Sequence, residues 1–299
     1  MKHLAVLALC LSATAAHAEP RAWTAAKKTL PAGLQAVIGV NIAPIKSSQL
    51  YQQLLPMALA KSGDAQAKLD KLKTTCGLDA TGMLDSVVVG MTGEEKAVVV
   101  VALKGTTQKA LEACGQKIAK ADGKTLTITK DGAITKYGGM GDQDAYVKWL
   151  SKDTLALAPD KDTLTALTAG GIARDTVGAE AGKVNTSAAL WGVVNKSQDI
   201  PELKGKMTSA YATLDLKAGN LVADVHLVLD SPKTATDGAA MAKQQLDGIK
   251  KSGQVPKQFT ALLDSVTIKA SGSELVLGGQ ASEADLASMM GMLSQLAGH

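Results

Sequence analysis

Aromatic side chains are scarce in this chain: they make up 3% of 299 residues, and Phe259 is the sole phenylalanine. Few rings means few stacking platforms for single-stranded nucleic acid. It also means that the core has to be built from Val, Leu, Ile, Ala and Met. Arginine is scarcer still, with Arg21 and Arg174 alone. Lysine does not reproduce the planar guanidinium fork that grips phosphate and reads guanine, so the lysines read as a solvated surface and no nucleic-acid partner is expected. Of four histidines, His3 and His17 lie in the first eighteen residues and His299 is the last residue, which leaves His226 alone in the body. Zinc chemistry of the HExxH kind and centres with several histidines are thereby excluded. No GxSxG sequence occurs, and Gly182-Lys183-Val184 is not a phosphate-binding Walker motif. No metal or cofactor is expected.

A long apolar run is absent after the first eighteen residues; the longest, Ala97 to Leu103, reads as a buried strand. The opening segment itself has the pattern of a secretory signal peptide. Lys2 precedes an apolar stretch from Leu4 to about Ala16, and Ala16-His17-Ala18 supplies the small-x-small cleavage site. Cleavage is expected near Ala18, with export to the periplasm or the medium and no transmembrane segment left. Leu9 before Cys10 is too bulky for a lipoprotein signal. Losing Lys2 takes the 32 basic residues to 31, against 28 acidic ones. Apolar residues reach 46%, which is enough for a packed core.

Two cysteines remain after processing, Cys76 and Cys114. An isolated pair in an oxidising compartment favours a disulfide over two separate buried thiols. Cys76 precedes Gly77 at an expected helix end, and Cys114 shares a helical face with Leu111 and Ile118. CxxC spacing is absent, which argues against a catalytic redox pair.

The mature chain reads as two distant copies of one unit, residues 19–170 and 188–299, joined by a Gly-rich linker at 171–187. Val147–Ala158 and Val266–Leu277 each read as strand, polar turn and strand, followed by a helix. Leu34–Ile42 and Ala188–Asn195 are opening strands. Asp85–Met91 with Lys96–Lys104, and Ser209–Lys217 with Leu221–Asp230, are hairpins that run into helices at Thr107–Ala121 and Thr236–Ser252. The first half adds a hairpin turning at Asp131-Gly132 and a helical region from Ser47 to Thr75, interrupted at Pro56 and Ser62-Gly63. Each half is therefore roughly β-α-β-β-α-β-β-α. The expected fold class is α+β, with antiparallel sheets and the helices packed on one face.

Few residues invite a chemical role. In Leu221–Leu229, Asp224 and His226 share one strand face, as a carboxylate-oriented imidazole or as an ordinary solvent-facing polar pair. Gly138–Asp144 lacks the ligand order of a calcium loop and reads as a hairpin connection. Asn185-Thr-Ser187 and Asn195-Lys-Ser197 fit the glycosylation sequon. Trp149 and Trp191 fall on strands and read as core. Ser282-Glu-Ala-Asp285 is a capping box ahead of Leu286, Met289, Met290, Leu293 and Leu296 at helical spacing.

Several of these segments together resemble a group of secreted bacterial proteins without assigned activity. They are the leader, Cys76-Gly-Leu-Asp79 running into Asp85-Ser-Val-Val-Val, Cys114 in its helix, and Val184-Asn-Thr-Ser-Ala-Ala-Leu-Trp191. The resemblance implies location and architecture and no activity. The missing catalytic apparatus and the layered elements lead to the expectation of a non-enzymatic exported protein binding an apolar small molecule or an envelope protein. The competing expectations are a hydrolase built on dispersed Ser, Asp or Glu residues, and a structural or inhibitory envelope component.

Overall fold

The computed structural model describes residues 19–92, 96–139, 144–166, 171–172, 175–252 and 259–288. Strands of the first half are β1 (Ala36–Asn41), β2 (Leu84–Met91), β3 (Ala97–Leu103), β4 (Thr127–Asp131), β5 (Ile134–Gly138), β6 (Ala145–Trp149) and β7 (Thr154–Ala158). The second half carries β8 (Leu190–Val194), β9 (Gln198–Ile200), β10 (Gly205–Lys217), β11 (Asn220–Leu229), β12 (Thr267–Ser271) and β13 (Glu274–Ser282). All join one antiparallel sheet in the order β12-β13-β11-β10-β8-β1-β2-β3-β7-β6-β5-β4, with β9 paired to β10. The halves meet at the β1–β8 pair. Outward from that seam the order is β2, β3, β7, β6 on one side and β10, β11, β13, β12 on the other.

The helices are α1 (Arg21–Thr29), α2 (Ile42–Lys46), α3 (Gln49–Lys61), α4 (Ala65–Cys76), α5 (Ala80–Met83), α6 (Gln108–Ala121), α7 (Lys161–Thr165), α8 (Thr176–Ala181), α9 (Pro232–Lys251) and α10 (Thr260–Ser265). Their starts follow local chemistry. Thr107, Asp160, Asp175 and Ser231 each accept a backbone N–H of the first turn of α6, α7, α8 and α9. Ser282 does the same for the helix at 283–288, whose Asp285 N–H it accepts at 3.0 Å. Met289, Met290, Leu293 and Leu296, like the expected turn at Gly93-Glu94-Glu95 and most of the Gly138–Asp144 connection, lie outside the described residues. The helical region from Ser47 runs through Pro56 and breaks at Gly63, which takes a left-handed φ of +62° between α3 and α4.

Strand alternation gives the sheet two faces, and the register carries each across it. Val37, Val193, Tyr211, His226 and Val276 sit side by side on the first face. Ile38, Gly192, Ala212, Val225 and Leu277 form the neighbouring row and point the other way. On the first face α1 buries Ala22, Trp23 and Ala26 against Val37, Val88, Val100 and Trp191. Leu164 of α7, Ile172, and Val177 and Ala181 of α8 complete that core. On the second face α6 packs Leu111 over Leu103, Val147 and Leu155. There α9 sets Ala235 and Ala239 against Leu229 and Leu275.

Helices therefore divide between the two faces instead of gathering on one. The seam strands explain the difference: β1 and β8 are apolar on both sides, so each face had surface to cover. Of residues 171–187, read as a linker, the described part carries α8 and buries Ile172, Val177 and Ala181 in the core. The segment Arg21–Thr29, for which no element is expected from sequence, is a core helix. Arg21 ties it down, donating to Leu103 O (2.8 Å) and to Asp85 (3.1 Å), and pairing with Asp153. Burial raises the Asp85 pKa, but hydrogen bonds from Lys104 and Arg21 outweigh it and hold this carboxyl below its ordinary 3.8.

Cys76 at the end of α4 and Cys114 on the buried side of α6 are joined as a disulfide, with Cα atoms 5.4 Å apart and a sequence separation of 38. None of the side chains of α4 is buried. The crosslink therefore fixes a helix that packing alone does not hold. By chain entropy a loop of this length is worth about 4 kcal/mol. The Cys76→Ser, Cys114→Ser double variant is expected to unfold at clearly lower urea concentration. Amide exchange should accelerate first in α4.

Candidate functional site

On the first face, beyond the cover of α8, the second half of the sheet is polar. Tyr211 on β10 and His226 on β11 are register partners, and their rings stack with centroids 4.4 Å apart. Glu274, at the start of β13, accepts the Tyr211 hydroxyl at 2.8 Å and faces His226 Nδ1 at 3.0 Å. Asp224 Oδ2 stands 3.1 Å from His226 Nε2. Lys183, just past α8, reaches Glu180 at 2.9 Å and Glu274 at 3.6 Å. A cavity of about 670 Å³ adjoins the cluster, lined also by Asn185, Thr213 and Gln280.

Asp224 and His226 thus meet, as their shared strand face implied. Sequence reasoning missed Tyr211, Lys183 and Glu274, which arrive from a neighbouring strand, a loop and a residue 48 positions away. Only Tyr211 carried a local signal, the alternation of β10. Both ring nitrogens of His226 face carboxylates, so the imidazole has no nitrogen left to activate a nucleophilic hydroxyl. As arranged, the cluster is a polar junction tying β10, β11 and β13 to the end of α8.

Burial raises the Glu274 pKa, but the Tyr211 hydroxyl, His226 and Lys183 together outweigh it and hold the carboxyl below its ordinary 4.5. Tyr211 is pushed up from 10.0, by burial first and then by Glu274. A depressed carboxyl stabilises the fold above its unfolded pKa, and that contribution is lost as pH falls through the folded value. Glu274→Gln should therefore be less stable than the parent at pH 7. Its thermal midpoint should fall less on acidification below about pH 4.5, so that the two melting curves converge in acid. Parallel pH profiles would remove this role from Glu274.

The second face holds a different surface. Between the strands under α6 and those under α9, the middle stretches of β2, β1, β8 and β10 have no helix packed on that side among the described residues. Their outward residues form continuous apolar rows. One runs Val99, Val89, Ile38, Gly192, Ala212, Val225. The next runs Val101, Val87, Val40, Leu190, Leu214, Ala223. Ile38, Leu190 and Val194 are more than a third exposed. A cavity of about 410 Å³ lies over this floor, and among the described residues no charged one lines it. Among the described residues its polar lining, Tyr211 and Thr213, is spaced to point its side chains to the opposite face.

Among the described residues no group of three or more His, Cys, Asp or Glu side chains is placed to hold a metal ion, and no helix is long and apolar enough to cross a membrane. No known protein family and no curated protein matches the chain. It is similar in structure to two crystal forms of TP0453. Form III has a TM-score of 0.49 at 12% identity and covers 87% of this chain and 95% of that one. Form I has a TM-score of 0.49 at 12% identity and covers 88% and 95%.

Proposed function

We propose that this protein is an exported, non-enzymatic binding protein that takes an apolar ligand of aliphatic character on the open second face of its sheet. One observation carries the reading: four adjacent central strands present an uncharged, half-exposed aliphatic floor, flanked by α6 and α9 and without a helix of its own among the described residues. Soluble proteins seldom leave so continuous an apolar surface in water unless something binds it. The cavity volume falls in the range of ligand sites.

Aliphatic rather than peptide chemistry fits the floor. Every backbone donor and acceptor of a central strand is engaged in its two ladders, so an extended peptide finds no sheet edge to extend. The polar junction at His226 supports the non-enzymatic reading, because its imidazole is enclosed by carboxylates. The leader pattern and the Cys76–Cys114 crosslink support export, since disulfides persist in oxidising compartments.

Native mass spectrometry of protein purified from a periplasm tests the reading. An aliphatic adduct that is lost in Leu190→Arg, with the fold retained, is the expected result. Bare protein that also fails to bind cis-parinaric acid, a fluorescent fatty acid, would overturn it.

A further inference from the structure

Three cavities run into one another at one end of the first face. The one of about 670 Å³ beside His226 shares Asn185, Asp215 and Lys217 with a second of about 800 Å³. The second shares Ala43, Pro44 and Ser187 with a third of about 360 Å³ at the start of α1. A single row of the sheet supplies their floor. Ser86, Asn41, Asp215, Val222 and Gln280 lie in that row, and Ala189, whose carbonyl accepts the Asn41 N–H at 2.9 Å, continues it across the seam. Five interstrand spacings from β2 to β13 make the row about 24 Å long. The trough therefore belongs to neither half alone.

Its charged groups are already matched. Lys183 pairs with Glu180 and Glu274, Lys217 with Asp215 at 3.1 Å, and Arg21 with Asp85 and Asp153, while Asp224 stands against His226. Several of its neutral groups are not. Among the described residues the hydroxyls of Thr213, Thr267 and Ser187 and the side-chain amide of Gln280 make no hydrogen bond within the protein. Asn41, 6% exposed, spends its side-chain N–H groups on Thr186 O at 2.9 Å and Ala188 O at 2.6 Å. The amide is thereby fixed, and its Oδ1 is an acceptor with no donor among the described residues. Paired ions beside uncommitted neutral donors and acceptors suit a ligand that carries hydroxyls and no charge. A trough that crosses the strands over their side chains offers no open ladder for an extended peptide to join.

We infer that this trough binds a neutral, linear oligosaccharide, whose hydroxyls bond Thr213, Thr267, Ser187, Gln280 and the Asn41 Oδ1. The site lies on the opposite face from the apolar floor and does not depend on the binding proposed there. Isothermal titration calorimetry on the full mature chain tests it, with two neutral chains of different chemistry, maltohexaose and chitohexaose, and their disaccharides maltose and chitobiose as short controls. Thr267→Val combined with Gln280→Ala removes two of the uncommitted groups at exposed positions, so the fold should be unchanged. Leu190→Arg serves as the control on the other face.

The expected result is saturable binding of a hexasaccharide, tighter than that of its disaccharide and little changed by added salt. The double variant should bind it about tenfold more weakly at unchanged melting temperature, and Leu190→Arg should bind it as the parent does. No saturable binding of either hexasaccharide, or parental affinity in the double variant, would overturn the site. Equal affinity for disaccharide and hexasaccharide would overturn the trough as one continuous site. Affinity that falls steeply with salt, or binding of an uncharged Ser- and Gly-rich hexapeptide while both sugars are inert, would overturn the ligand class.

Discussion

Gly39→Ala is expected to be among the most damaging single-methyl changes in the chain. Gly39 lies on β1 directly opposite Trp191 of β8, and the indole of Trp191 occupies the space where a Cβ would stand. Trp191 is 1% exposed and held from above by the edge of Trp23, ring centroids 4.7 Å apart. It has nowhere to go, and neither strand can give, because both are internal to the sheet. Inserting one methyl into a tight core costs about 1–3 kcal/mol, and more where neighbours cannot move. We expect the upper end of that range or beyond, measured as a drop in the urea midpoint at unchanged slope. The mechanism makes a second demand. In a Trp191→Leu background the same Gly39→Ala change should cost much less, since the ring it strikes is gone. Equal costs in the two backgrounds would show that the glycine is needed for another reason.

Trp23→Ala is the second large effect. This residue sits on α1, five positions after the expected cleavage site, yet it is 4% exposed and touches the centre of the core. Truncating a buried tryptophan costs about 3–5 kcal/mol. Here the loss also removes the support of Trp191 at the seam where the two halves of the sheet meet. The melting temperature should drop steeply, and near-ultraviolet circular dichroism from the paired indoles should collapse. Arg21→Ala should act in the same direction by a smaller amount, because its partners are partly solvated and Lys104 still faces Asp85 at 2.8 Å. A Trp23→Ala protein with parental stability would mean that α1 is an ornament on the fold rather than part of its core.

The depressed carboxyls add a pH dependence of fixed sign. Asp85 and Glu274 are both held low, so stability should decline as pH falls below about 4.5, and it should respond to Arg21→Ala and Glu274→Gln separately. The sites lie in opposite halves of the sheet and share no partner, so their effects should add.

The expectation of helices on one face failed where the sequence looked most regular. Val87, Val89, Val99 and Val101 alternate with Val88, Val98 and Val100, so β2 and β3 are apolar on both sides. Period-two reasoning assigns a face only when the other face is polar. Helix α1 went unseen because its buried face is short, marked by Trp23 with Ala22 and Ala26 alone. The segment at 171–187 looked like a linker on glycine content, while the features that give it structure, Asp175 as a cap and Val177 and Ala181 as buried contacts, are few and short. In the polar junction Asp224 and His226 were legible because they are two residues apart on one strand. Glu274 was not, since its distance from His226 is set by the β11–β13 register and by nothing local.

By itself, the sequence determined the α+β class, most strands and the longer helices, the cap at Ser282, and the pairing of the two cysteines as the favoured state. These follow from short-range periodicity, from side chains that bond the nearest backbone, and from residue counts too small to allow alternatives. Tertiary structure alone decided that the halves share one sheet, that α1 packs on its first face, and that four central strands have no helix over their second face among the described residues. Such outcomes depend on which surfaces remain uncovered after every strand has found its neighbours, a property of the whole packing that no window along the chain contains.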